Sequence, residues 1–243
     1  GMRLNETVSL AASGAMSLSM THPSDCNVYL VDCGKESVLI DAGTGLAEKD
    51  VIREIEKDLK NTLSHILVTH HHADHTGGLS VIKEYFHARV VAPEKERRSI
   101  EEADESANGL DIARNAGYYP ADYKWKGCRT DLSVVPGERF RISEEEILVC
   151  DGAGHSPGGV CYYFPGKKMI FVGDLLMHGG KVNLQNIPGA DIRRYAESVI
   201  ALENLEVEQF YSGHGCFSLH HGKEHIEKAA QAFKSLGVPP NFL

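Results

Sequence analysis

The chain has 243 residues, and several features are missing from it. No run approaches the roughly 18 uncharged apolar residues of a membrane-spanning helix, so a transmembrane protein is excluded. The six cysteines, at positions 26, 33, 128, 150, 161 and 216, form no C-x-x-C pair. A chain this long needs no disulfide staples, so they read as reduced thiols of a cytoplasmic protein. Positive charge is scarce: 25 Lys and Arg stand against 34 Asp and Glu, for a net charge of −9. That balance argues against a broad nucleic-acid footprint. No self-similar repeat of about 20–50 residues is present. The first residues lack the basic-then-apolar build of a signal peptide, and Gly1 before Met2 is expected to be a remnant of tag removal.

Histidine, by contrast, is plentiful. The chain carries 13 of them, more than Pro at 9 or Phe at 8. In an acidic chain of ordinary globular composition (42% hydrophobic, 24% charged), that excess points to metal or proton chemistry.

Period-2 and continuous apolar runs predict strands at 7–12, 15–20, 27–32, 37–41, 66–69 and 88–92. Further strands are expected at 147–151, 160–164, 169–172 and 210–212. Helical spacing of apolar positions predicts helices at 48–59, 78–86, 190–205 and 223–236, the last ended by Gly237 and Pro239. Residues 94–130 break the pattern and read as an insertion or lid on a single domain over 2–243. Within them, 94–105 is charge-rich and helical in character, and 117–125 is crowded with Tyr118, Tyr119, Tyr123 and Trp125. Two readings of the aromatic stretch stand side by side: a packed loop, or the wall of a substrate pocket. Strands followed by helices, twice over, suggest two αβ halves packed sheet to sheet with helices outside.

The decisive segment runs Thr69-His70-His71-His72-Ala73-Asp74-His75-Thr76-Gly77-Gly78, after an apolar strand and before a helix. His70 and His72 are two apart, so extended backbone puts both rings on one side, and Asp74 and His75 follow where the chain turns. Imidazole with carboxylate suits zinc, iron or manganese. One segment offers four ligands, and more are expected at other strand ends. His155 lies in Gly-Ala-Gly-His-Ser-Pro-Gly-Gly, Asp174 in Phe-Val-Gly-Asp and His214 in Tyr-Ser-Gly-His-Gly, each after a strand and each flanked by Gly. Glycine lets the backbone turn sharply and keeps space open around a ligand.

These motifs resemble the metallo-β-lactamase superfamily, whose signature is H-x-H-x-D-H followed by a later His, Asp and His. The resemblance runs from Asn27 to His214. It implies a four-layer αββα sandwich of two mixed β-sheets flanked by helices. It implies two divalent metal ions, zinc first, with iron or manganese as alternatives. His70, His72 and His155 would hold one metal, Asp74, His75 and His214 the second, and Asp174 would bridge them. Asp41, in Leu-Ile-Asp-Ala-Gly, matches the family's early Asp, which orients the motif loop without binding metal. The best-known zinc β-lactamases carry Cys where Asp174 stands, so Asp174 resembles the branch of glyoxalase II, lactonases and RNA-processing nucleases. Gly159 stands where many glyoxalase II and lactonase relatives have a second His.

Such a metal pair lowers the pKa of a water held between the ions toward neutrality. The resulting hydroxide would attack a small-molecule ester, thioester, lactone, amide or phosphoester. Asp74 would double as ligand and catalytic proton acceptor. The alternative within the superfamily is a mononuclear iron oxidoreductase resembling persulfide dioxygenases, with His70, His155 and Asp174 as its ligands. A nuclease is a further alternative, but Lys and Arg clusters that would grip phosphates are missing, so no nucleic-acid partner is expected. His71 should point away from the metals. His178 and His22, with Tyr119, Tyr123 and Trp125, are candidates for the substrate pocket. His220, His221 and His225 read as helix-start residues or anion contacts, and Cys216 as a thiol near the metals. Oligomeric state is left open.

Overall fold

The structure is a computed structural model and describes residues 1–243. Two sheets carry the architecture. The first contains β1 (Met2–Arg3), β2 (Val8–Ala12), β3 (Val28–Asp32), β4 (Glu36–Ile40), β5 (Thr62–Leu67), β6 (Arg89–Pro93) and β7 (Leu132–Val134), side by side in chain order. The second contains β8 (Arg139–Ile142), β9 (Glu145–Asp151), β10 (Val160–Phe164), β11 (Met169–Phe171) and β12 (Gln209–Tyr211), also in chain order. The helices are α1 (Glu48–Asp58), α2 (Ala73–Thr76), α3 (Leu79–Phe86), α4 (Arg97–Glu102), α5 (Leu110–Asn115), α6 (Ile192–Leu202) and α7 (Lys223–Lys234). Both sheets are mixed: β1 to β4 pair antiparallel and β4 to β7 parallel, while β8 to β11 pair antiparallel and β11 with β12 parallel.

Alternation along the central strands explains why they read as continuous apolar runs. Tyr29 and Val31 of β3 face the second sheet, while Val28 and Leu30 face α1 and α3. Val160, Tyr162 and Phe164 of β10 face the first sheet, while Cys161 and Tyr163 turn to the α6 and α7 side. Strands covered on both faces have no polar side to show. Each buried Val, Leu or Phe contributes about 1.5–3 kcal/mol relative to exposure. The result is helix, sheet, sheet, helix, as the two-half reading expects.

Three expectations need correction. Residues 15–20 are not a strand. They form a turn in which Ser17 and Ser19 N–H both reach back to Gly14 O, with Ser19 at φ +52°. β5 begins at Thr62, four residues before the expected start at 66, because its polar residues pair inside the sheet despite lacking an apolar pattern. β7 and β8 were not expected at all: each buries a single residue, Val134 or Ile142, so neither shows a hydrophobic run.

This topology sets the site. Ligand candidates follow the carboxyl ends of β5, β11 and β12, with Asp41 directly after β4 and His155 in the turn between β9 and β10. Backbone bonds join the two sheets at this end: Val160 N–H donates to Thr69 O at 2.8 Å, and Asn27 N–H to Gly213 O at 2.7 Å.

Candidate metal centre

Three imidazoles converge first. His70 Nε2 lies 3.1 Å from His72 Nδ1, and His155 Nε2 lies 2.9 Å from the same atom. Their tautomers follow from their other nitrogens. Thr69 Oγ1 gives its proton to Asp41 Oδ2, so it accepts from His70 Nδ1–H at 3.0 Å and leaves a lone pair on His70 Nε2. His155 Nδ1–H donates to the Asn183 carbonyl, leaving a lone pair on His155 Nε2. Two lone pairs therefore face His72 Nδ1, which can satisfy at most one of them with a proton. Donor atoms around one zinc ion at about 2.0–2.1 Å sit roughly 3.3 Å apart, and these nitrogens approach that spacing. The donor set fits a cation.

The second group is Asp74, His75, Asp174 and His214. His214 Nε2 is 2.9 Å from Asp74 Oδ2 and 3.4 Å from Asp174 Oδ2. His75 Nε2 is 3.2 Å from Asp174 Oδ1, yet both atoms are buried without a hydrogen bond. Asp174 Oδ2 also lies 3.4 Å from His155 Nε2, so this carboxylate stands between the two groups. The close approach depends on Gly213: a Cβ there would lie 2.2 Å from Asp174 Oδ1 and 2.7 Å from His75 Cε1.

Asp41 organises the loop from behind. Its Oδ1 accepts from Thr69 N–H at 2.8 Å, and its Oδ2 accepts from both Thr69 Oγ1 and His75 Nδ1 at 2.7 Å. Asp41 itself sits at φ +61°, a region Asp tolerates better than most side chains.

The electrostatics of the two groups differ. Burial, reinforced by neighbouring imidazoles, holds His70 and His72 well below the usual imidazole range, and burial also lowers His155. In the second group burial is outweighed by opposite charge. Asp174 and Asp74 push His214 up to about 9, and the Cys26 thiol with Asp174, Asp74 and Asp41 lifts His75 well above its ordinary value. Against the same burial, His75 and His214 bring Asp74 down to about 2 and hold Asp174 well below the carboxylate range.

The family model of the metallo-beta-lactamase superfamily matches residues 22–214, the span that holds every one of these groups. This chain belongs to the metallo-beta-lactamase superfamily. Among its curated relatives is an atrochrysone carboxyl ACP thioesterase of Aspergillus fumigatus, 25% identical over 190 residues. That match covers 78% of this chain and 50% of the relative. A hydroxyacylglutathione hydrolase of Rhodospirillum rubrum is 31% identical over 157 residues, covering 65% of this chain and 50% of the relative. The chain thus spans half the length of each. A metallo-beta-lactamase family protein from Thermus thermophilus shares the fold, with a TM-score of 0.72 at 21% identity over 96% of this chain and 81% of that one.

Around this site the remaining candidates are scattered. Tyr119 reaches it: its hydroxyl donates to Asp74 Oδ1 at 3.0 Å. Tyr123 and Trp125 do not line open space. Both are buried in a small cluster with Ala73 and Leu110, and their polar atoms bond Thr44 O and Thr76 Oγ1. His178 is exposed and packs on His225, with ring centroids 4.4 Å apart, so it belongs to the α7 side and not to a pocket. His22 serves its own turn, its Nδ1 accepting from Ser24 N–H. His71 is buried and bonds Ser99 Oγ. His220 and His221 are exposed. Cys216 is an exposed free thiol, as the other five cysteines are free. No helix is long and apolar enough to cross a membrane.

Other residues of the site carried no signal in the sequence. Asn183 offers its carbonyl to His155 and donates from Nδ2 to Asp174 Oδ2 at 3.1 Å, tying the two groups together. Tyr195 Oη in turn accepts from Asn183 N–H. Glu96 is buried within the expected insertion, accepting from His71 N–H and Gly158 N–H, which clamps the His70 loop to the His155 loop. Cys26 places its Sγ with His75 and Asp41. A Cβ at Gly159 would stand 2.9 Å from Ser156 Oγ and 3.3 Å from His70 Cβ, so a residue larger than Gly would crowd the support of His70.

Proposed function

We propose that this chain is a metal-dependent hydrolase with a dinuclear centre, acting on a small-molecule ester, thioester, lactone, amide or phosphoester. The observation that carries the reading is the sharing of Asp174 between the imidazole tripod and the Asp74–His75–His214 group. The names of the relatives, a thioesterase and a hydroxyacylglutathione hydrolase, put thioesters first among these substrates.

His70, His72 and His155 would hold one ion, Asp74, His75 and His214 the other, with Asp174 common to both. Divalent ions there supply Lewis acidity and make water acidic enough to ionise near neutral pH. The protein's own groups do the rest. Asp74, a carboxylate between the second group and the Tyr119 hydroxyl, would accept a hydrogen bond from the attacking water and relay its proton. Asp41 and Thr69 keep the His70 and His75 rings in the tautomers that aim their Nε2 atoms into the site. Asn183 holds Asp174 against rotation. The candidate ligand residues are all buried, which would keep bulk water away from the developing charge.

The test is metal analysis of protein purified without chelator, followed by turnover of an S-acyl, lactone and phosphodiester panel. About two zinc or manganese ions per chain with hydrolysis supports the reading. One iron per chain with oxygen uptake on a persulfide would replace it with the oxidoreductase alternative.

A further inference from the structure

The segment 104–125 is held to the molecule in an unusual way. Its outer side is open: Tyr118 is half exposed, Ile112 is exposed, and nothing lies within 4 Å of a Cβ placed at Gly117. Its inner side contributes only Leu110, Tyr123 and Trp125 to a cluster of four buried residues with Ala73. Polar bonds do much of the anchoring, and they converge on the ligand-bearing turn. Asn108 Nδ2 donates to His71 O at 3.1 Å, Trp125 Nε1 to Thr76 Oγ1 at 3.0 Å, and Tyr119 Oη to Asp74 Oδ1 at 3.0 Å. Tyr119 is steadied by stacking on Tyr123, with centroids 5.2 Å apart and planes 11° apart. Tyr123 is itself anchored to Thr44 O at 2.8 Å.

The two oxygens of Asp74 therefore have separate tasks. Oδ2 faces His214 at 2.9 Å and His75 at 3.5 Å, while Oδ1 is occupied by the phenol. A carboxylate held by a donor on one oxygen cannot rotate the other out of the ligand group. We propose that Tyr119 is a positioning residue that couples the second metal position to the ordering of segment 104–125, so that each stabilises the other. The inference rests on the dinuclear reading above. Coupling of this kind is reciprocal: whatever factor Tyr119 adds to metal affinity, the metal returns to the order of the segment. Loss of such an outer hydrogen bond to a ligand typically costs about 10–100-fold in metal affinity.

The experiment compares metal-free wild type, Tyr119→Phe and Tyr123→Phe. Each is titrated with Zn²⁺ against a chromophoric chelator, and trypsin cleavage after Arg114 and Lys124 is timed with and without Zn²⁺. In Tyr119→Phe the second equivalent should bind about tenfold more weakly, with the first unchanged. Zinc should protect the wild-type segment from trypsin and protect this variant much less. Tyr123→Phe loses a bond of the same segment but keeps the phenol on Asp74, so its second equivalent should weaken far less than in Tyr119→Phe. A second equivalent of equal affinity in wild type and Tyr119→Phe overturns the inference and leaves the dinuclear reading standing. Equal loss in both variants overturns it too, since the segment's order alone would then account for the effect. Fewer than two equivalents in wild type would remove the dinuclear reading and the inference with it.

Discussion

The two halves of the candidate metal centre are built on opposite electrostatic plans. His70, His72 and His155 form a group in which burial keeps the rings neutral, with lone pairs already aimed inward by Thr69 and Asn183. Asp74, His75, Asp174 and His214 form a group in which carboxylates and imidazoles sustain each other's charge, with protons standing where a cation would stand. The first half is ready to take a metal as it is. The second must release protons to do so, because a protonated imidazole has no lone pair to give. Three imidazoles on one side, and two imidazoles with two carboxylates on the other, should therefore load metal with different pH dependence.

Breaking the link between the halves should have the largest effect. Asp174→Ala removes the one carboxylate that faces both groups, and hydrolysis should fall by at least about 1000-fold with loss of bound metal. Metal content, steady-state turnover and far-UV circular dichroism check this; full metal and full turnover in a folded variant would contradict it.

A pH series sharpens the contrast. The second equivalent should bind at least about tenfold more tightly per pH unit as pH rises toward the His214 value of about 9, because His75 and His214 are both raised and both must give up a proton, while the first equivalent responds weakly above neutrality. Calorimetry in two buffers of different ionisation enthalpy counts the protons released. The metal-free fold should show the converse trend. His214 is raised from 6.5 to about 9 in the folded state, so its stabilising share is complete below about pH 6.5 and is lost as pH rises through 9. The melting temperature of metal-free protein should therefore decline over that window, and zinc should abolish the decline. An unchanged melting temperature from pH 6.5 to 9.5 would contradict the assignment.

A smaller effect is expected from Asp41→Asn, which keeps the size but gives up charge and one acceptor beside His75 Nδ1. The second equivalent should weaken by about tenfold, as for other residues that orient a metal-binding histidine. Competition titration would show whether the first equivalent also moves. The smallest expected effect is Glu96→Gln. An amide oxygen can replace only one of the two acceptors that hold His71 N–H and Gly158 N–H. The loss should be about 1.5–3 kcal/mol, read as a melting temperature lower by several degrees. Metal stoichiometry should be retained.

The candidate ligands were legible because metal binding imposes local patterns. His70 and His72 at strand spacing, and His155, Asp174 and His214 each set among glycines after a strand, could be read one segment at a time. The central strands were legible for a similar reason: β10 is apolar at every position because both its faces are covered. β7 and β8 were not, because a strand at the edge of a sheet buries too little to leave a pattern. The two readings of the aromatic stretch could not be separated for a further reason. Tyr119, Tyr123 and Trp125 look alike in sequence, yet one reaches Asp74 and the other two are buried beneath it.

By itself the sequence determined the family, through motifs that resemble its signature, and the resemblance implied the sandwich of two mixed sheets; spacing along a strand or turn set the local direction of the donor atoms. Tertiary structure decided the rest. It set which oxygen of Asp174 faces which imidazole, that Asn183 and Glu96 support loops far from them in the chain, and that Tyr119 alone of its segment reaches a candidate ligand. The meeting of His75 with Asp174 and of Glu96 with Gly158 is fixed only when the two sheets close against one another, whereas Tyr119 reaches Asp74 because the segment between β6 and β7 folds back over the turn after β5.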